Sequence, residues 1–332
     1  MAEAETQVEP LIEPMLVEDD DPFVPVIRRQ DIWNHYKIQQ DVHWVAEEID
    51  FSQDVKDWKV MQEEVKRTVK HVLSFFLIAD MLVAKNIDQN LSSIKWHEVD
   101  TCYTFQKMME NVHSETYRLM MDTLVTDKKE REELNKTTST YPSVQLKVKW
   151  ALKWIHAKAT LAEILVAFSI VEGIMFSSSF CVIFWLRRIG LMPGLSQANK
   201  LIARDEGQHV EFAFLLYNNY IVNKLSIERI TEMVSSAVEV EKEFVNEAIK
   251  DDFTGMTKKL MIDYVCFVAD RHLVKLGAPK KYNVTNPFEW MDLIAVKGKA
   301  NFFEKRVTDY TKASQSKNVY RGDEVESEED DF

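Results

Sequence analysis

ENVHSETY, residues 110–117, decides how this chain is read. At ~3.6 residues per turn, offsets of three, four and seven share one helix face, so Glu110, His113 and Tyr117 form a single stripe. The stripe lies in a run, 96–125, whose composition favours helix, on the face that ordinarily meets a core. Three polar, reactive groups on that face need a partner in common. The same Glu-x-x-His spacing recurs in ARDEGQH (203–209), where Glu206 precedes His209 by one turn.

A carboxylate and an imidazole one turn apart are two ligands for a hard-to-borderline metal ion. One such pair is common by chance on a charged helix; two on separate, largely apolar helices are not. Two isolated acids complete the pattern. Glu172 is the only charge between Glu163 and Arg187, and Asp80 is the only acid in SFFLIADMLVA. Each is costly to bury alone, through desolvation or forced protonation. Carboxylates and imidazoles without cysteine suit two iron ions, or manganese, bridged by oxygen species. In the ferritin-like arrangement, two helices each give a Glu and two others each give Glu-x-x-His. Here Asp80 takes the place of one Glu. Phe176, Phe180 and Ile202 are expected to line the same region. Gly173 and Gly207, each directly after a ligand candidate, point to local distortion or a need for space, since Gly inside a helix costs ~1 kcal/mol.

Composition agrees with an all-α fold. The chain has 332 residues, 46% hydrophobic, with only 8 Gly and 8 Pro. Helices are expected over 57–90, 96–125, 143–156, 159–189, 195–222, 226–250 and 257–275, and GLMPG (190–194) ends the fourth of them. The net charge of −13 belongs to the ends. Residues 1–27 hold eight acids and no Lys or Arg, residues 323–331 hold seven, and without them the body carries +2. Such a body offers no phosphate-binding surface, so no nucleic-acid partner is expected. Residues 1–25 and 311–332 are expected to be disordered acidic termini around a helical domain spanning 26–310.

ILVAFSIVEGIMFSSSFCVIFWL (164–186) is long enough to span a bilayer. Glu172 near its centre costs on the order of 3 kcal/mol there, and a helix apolar all round equally suits the centre of a large bundle. A buried core helix and no membrane association are expected. Cys102, Cys181 and Cys266 are odd in number and widely spaced, which suits reduced thiols in a cytoplasmic protein. MAEAETQVEP (1–10) lacks the basic and apolar regions of a signal peptide.

Taken with DIWNHYK (31–37), WVAEEIDFSQD (44–54), VEGIMFSSSF (171–180), LMPGL (191–195) and NFFEKRV (301–307), these segments resemble the small, radical-generating subunit of class I ribonucleotide reductase. The likeness is to eukaryotic forms and those of large DNA viruses. It implies that Asp80, Glu110, His113, Glu172, Glu206 and His209 ligate a di-iron centre, and that Tyr117 holds a tyrosyl radical made when the reduced centre meets O2. It further implies an internal relay through Trp33, Asp205 and His113, and a handover to the partner subunit at Tyr310. A homodimer and a large subunit docked by the tail ending in Phe332 complete the picture. The activity implied is that of a thioredoxin-disulfide type ribonucleoside-diphosphate reductase in the cytoplasm, or the host cytoplasm if viral. Neither GxGxxG nor GxxxxGK[ST] occurs, so nucleotide binding is expected on the partner. A di-iron oxygenase or desaturase would share the ligands but need no relay. Ferritin-like iron storage would need no tails.

Overall fold

A computed structural model of the protein describes residues 11–18, 26–134, 136, 141–156, 158–250, 253 and 255–291. Tyr310, and the tail 311–332 that ends in Phe332, lie outside the described residues. The described part is helical, and its only β pairing is an isolated bridge between Phe253 and Met256.

The helices are α1 (Gln30–Asp41), α2 (Ser52–Val60), α3 (Glu63–Asn86), α4 (His97–Leu124), α5 (Lys128–Leu134) and α6 (Pro142–His156). They continue with α7 (Leu161–Ile170), α8 (Ser177–Arg188), α9 (Pro193–Tyr220), α10 (Ile227–Ala248) and α11 (Lys258–Lys275). A π-turn, Val171–Met175, joins α7 to α8. α3 packs along α4, α7 along α9, and α10 along α11, with α1 laid across α4. Buried apolar residues from all three pairs form one continuous core.

The ends of these helices have identifiable causes. Thr160 and Glu163 form a reciprocal capping box at the start of α7. Gly190, at φ +79, lets the backbone leave α8, and Pro193 opens α9 where its missing N–H is no loss. Buried Asp54, from α2, accepts hydrogen bonds from Gly194 N at 2.8 Å and Leu195 N at 2.6 Å, satisfying the first amides of α9. A Cβ on Gly194 would lie 2.4 Å from Asp50 O, so only glycine fits this junction.

Three expectations need correction. The helix expected over 57–90 is broken, because Met61 and Gln62 are extended (ψ 143 and 142) and Met61 is buried in the core. Within the acidic segment 1–25, residues 11–18 are docked: Glu13 accepts from Val222 N, Asn223 N and Asn223 Nδ2, and Met15 is buried. Gly207 has open space around it, so no crowding explains it. The long apolar stretch meets the length and composition needed to cross a membrane, yet 89% of that window is buried against other helices.

Gly173 and Gly207 should therefore respond oppositely to alanine. A Cβ on Gly173 would stand 2.1 Å from His272 Nε2, whereas one on Gly207 meets nothing within 4 Å. Gly173→Ala is expected to destabilise the metal-free protein by ~1–3 kcal/mol through overpacking. Gly207→Ala should be neutral or stabilising by up to ~1 kcal/mol. Thermal melts of the two variants read the difference; equal losses would contradict it.

Candidate metal centre

Six side chains converge from four segments: Asp80 on α3, Glu110 and His113 on α4, Glu172 on the π-turn, and Glu206 and His209 on α9. None is more than 2% exposed. They form two overlapping sets whose ligand atoms lie within 4.8 Å of one another: Asp80, Glu110 and His113, and Glu110, Glu172, Glu206 and His209. Glu110 belongs to both. His113 Nδ1 is 3.1 Å from Glu206 Oε1 and 3.5 Å from Glu110 Oε2. His209 Nδ1 is 3.2 Å from Glu110 Oε1 and 3.2 Å from Glu206 Oε2. The carboxylates of Glu110 and Glu206 thus sit between the two imidazoles, and Glu110 is the one group common to both sets.

The donor set can be tested for fit without any ion in place. Both oxygens of Asp80, both of Glu110, Glu172 Oε2, Glu206 Oε1 and His113 Nδ1 are buried and lack a hydrogen-bond partner among the described residues. Buried polar atoms are nearly always satisfied, so a cluster of orphans is a strong exception. Four carboxylates against two neutral imidazoles carry a charge that two divalent cations would balance. Oxygen and nitrogen donors without thiolate suit iron or manganese.

Electrostatics agree. Burial pushes Asp80 and Glu172 well above the usual carboxylate range, with the neighbouring carboxylates adding to it. Burial also pushes Glu110 up, but the imidazoles of His113 and His209 beside it outweigh that and bring Glu110 down to about 2. For His209 burial favours the neutral ring, yet Glu110 and Glu206 outweigh it and raise the pKa to about 9. His113 is raised well above its ordinary value by Asp205, Glu110 and Glu206 against the same penalty.

Around the cluster, further side chains fix its members. Gln106, one turn before Glu110, donates from Nε2 to Glu172 Oε1 at 2.8 Å. His113 Nε2 faces Asp205 Oδ2 at 3.3 Å, which orients the ring. Trp44 Nε1 donates to the same Oδ2 at 2.7 Å, and Arg204 holds Oδ1 through Nε and Nη2. Trp44 and His113 have ring centroids 6.0 Å apart. Buried Tyr117 stacks on Phe76 at 4.6 Å and 3°, and Phe176 and Phe180 pack on the same Phe76. The Tyr117 hydroxyl has no hydrogen-bond partner among the described residues. Burial, then the charges of Asp80, Glu206 and Glu110, push the phenol well above its ordinary value, so it keeps its proton.

Trp33 is not brought to this line. It stacks near Tyr36 and His97, with a buried Nε1 that has no partner among the described residues. Trp44, eleven residues on, reaches Asp205 instead. Trp33 is half-buried on α1, whereas Trp44 lies beyond the end of that helix, buried, with its indole N–H on Asp205 of α9. Gln106 is a second residue that sequence reasoning missed, although its place on the Glu110 stripe marks it. Trp44 stands first in WVAEEIDFSQD, and no spacing in the sequence separates it from Trp33.

Because Asp80, Glu172, His113 and His209 all hold protons more tightly than free side chains do, filling the site must expel them. Ion uptake should release protons, and apparent affinity should fall as pH drops, by about tenfold per pH unit for each proton displaced. Titration calorimetry in buffers of different protonation enthalpy measures this directly. Uptake without proton release would contradict the assignment of these groups.

A family model described as ribonucleotide reductase, small chain, matches residues 24–287. The ribonucleoside-diphosphate reductase small chain of Trypanosoma brucei brucei is 46% identical over 303 residues, covering 91% of the present sequence and 90% of its own. The protein of the same description from Nicotiana tabacum is 46% identical over 309 residues, covering 92% and 94%. Among solved structures, the ribonucleotide reductase Rnr4 homodimer of Saccharomyces cerevisiae matches with a TM-score of 0.78 at 33% identity, over 88% of the present sequence and 93% of that one. The match spans the helices that bring the six buried groups together, and the chain belongs to the ribonucleotide reductase small-chain family, with its ferritin-like helical fold.

Proposed function

We propose that this small chain supplies the oxidant of a ribonucleoside-diphosphate reductase, generating a radical on Tyr117 and passing it to a large subunit that reduces the nucleotide. The observation that carries the reading is the convergence of orphaned carboxylate and imidazole atoms beside a phenol whose hydroxyl is also unpartnered. Asp80, Glu110 and His113 would hold one ion, Glu172, Glu206 and His209 the other, with Glu110 shared. Two iron ions are the proposed occupants, and the donor set also accommodates manganese. When bound and reduced, such a pair would supply, with O2, the oxidising equivalent needed to remove one electron and one proton from a phenol.

The protein's own residues do the rest. Burial keeps Tyr117 neutral until it is oxidised, and Phe76, Phe176 and Phe180 exclude water and small reductants from its ring. Asp205 joins Trp44 to His113 through hydrogen bonds to one oxygen, and this line is the proposed path between the metal pair and the surface. Trp44 takes the part first expected of Trp33. Tyr310 is the proposed handover residue, and the tail ending in Phe332 the proposed docking element. A homodimer, as the yeast relative is described, an external reductant for activation, and a cytoplasmic location belong to the same proposal.

Electron paramagnetic resonance after aerobic ferrous loading, paired with turnover in the presence of a large subunit, tests these roles together. Tyr117→Phe should load about two ions per subunit, as a ferritin-like site does, yet show no tyrosyl signal and no turnover. Trp44→Phe should keep both metal and signal while turnover drops to background, whereas Trp33→Phe keeps all three. Removing residues 326–332 should likewise leave metal and signal intact and abolish turnover. An unchanged signal in Tyr117→Phe would move the radical elsewhere. Equal turnover in Trp44→Phe and wild type would remove Trp44 from the path.

A further inference from the structure

Glu172 differs from the other five groups in standing on a π-turn rather than on a regular helix. Such a turn replaces i+4 with i+5 pairing and disturbs the carbonyls at its boundaries, so it persists where other groups engage them. Two side chains from distant helices do so. Lys147, on α6, donates from Nζ to Met175 O at 2.6 Å, at the end of the turn. His272, on α11, places Nε2 3.1 Å from Ser169 O, just before the turn begins, while its Nδ1 lies 3.2 Å from Val268 O. Gly173, in the middle, leaves the room that the His272 ring occupies.

Lys147 is an improbable residue to bury for stability. It is 1% exposed, pairs with equally buried Glu241 at 2.7 Å, and lies between the Phe75 and Phe244 rings at 3.7 and 3.5 Å. The Ser178 hydroxyl donates to the other oxygen of Glu241. Apolar residues of similar volume usually serve a core as well as, or better than, a buried ion pair. What distinguishes this pair is the backbone it holds, next to a metal-ligand candidate. Gln106 fixes the Glu172 carboxylate from one side, and the backbone behind that carboxylate is held at both ends.

We propose that Lys147 and His272 are positioning residues that pin the two ends of the Val171–Met175 turn and so set the Glu172 carboxylate for the second ion. This rests on reading the six groups as a two-ion centre. The clamp acts on one ion position and leaves the position formed by Asp80, Glu110 and His113 untouched.

The test uses the full-length protein, titrated anaerobically with cobalt(II) and followed by d–d absorption and equilibrium dialysis, with melts of the metal-free form. Lys147→Met combined with Glu241→Leu removes the buried pair whole and should melt close to wild type. Its second cobalt ion should bind about tenfold or more weakly, with the first unchanged. His272→Leu should show the same selective loss. A merely structural role would leave both ions at wild-type affinity once stability is restored, and that result in both variants overturns the clamp while leaving the centre intact. If the wild-type protein itself takes up no cobalt, the centre and the clamp fall together.

Discussion

Four carboxylates face two imidazoles in an interior that excludes water, and the rest of the molecule is arranged around that conflict. A single ionised carboxylate in a dry core costs several kcal/mol unless it is paired and hydrogen-bonded. Here Asp80 and Glu172 are forced toward their protonated forms, while Glu110 keeps its charge only by leaning on His113 and His209. Such an interior is held by its surroundings: long helices packed in pairs, ends capped by Thr160 and Asp54, and a close junction at Gly194. The same rigidity that confines the charges presents them as ready ligands.

Burial serves Tyr117 in another way. A phenol without a hydrogen-bond partner, stacked face to face on Phe76, loses stability relative to a satisfied tyrosine. It gains isolation from water and from small molecules. The apolar stretch that could pass for a membrane span is the wall of this compartment, and the one charge between Glu163 and Arg187 is the buried Glu172. A long apolar run with one central acid is thus explained by an interior that must be dry everywhere except at its ions.

Much of this is legible in the sequence, for a physical reason. A polar residue on an apolar helical face is a local signal, and the i, i+3 spacing of Glu110 with His113 and of Glu206 with His209 fixes a shared face before any tertiary contact is known. Asp80 and Glu172 stand out as lone charges in apolar runs. What escaped is what local spacing cannot encode. Trp33 and Trp44 look alike along the sequence, and only the turn after α1 carries Trp44 to Asp205. The break at Met61–Gln62 has no Pro or Gly to announce it and comes from the burial of Met61. Residues 11–18 read as an acidic tail, yet Glu13 satisfies amides at 222 and 223, two hundred residues away. Gly173 and Gly207 are indistinguishable by propensity, and only the His272 ring gives the first a steric role.

The central claim is that two ions share this cluster. Diffraction from iron-loaded crystals, collected on either side of the iron absorption edge, locates such ions without reference to activity. Two anomalous peaks should appear, one among Asp80, Glu110 and His113 and the other among Glu172, Glu206 and His209, with Glu110 between them. A single peak, or none within reach of these six side chains, would contradict the account.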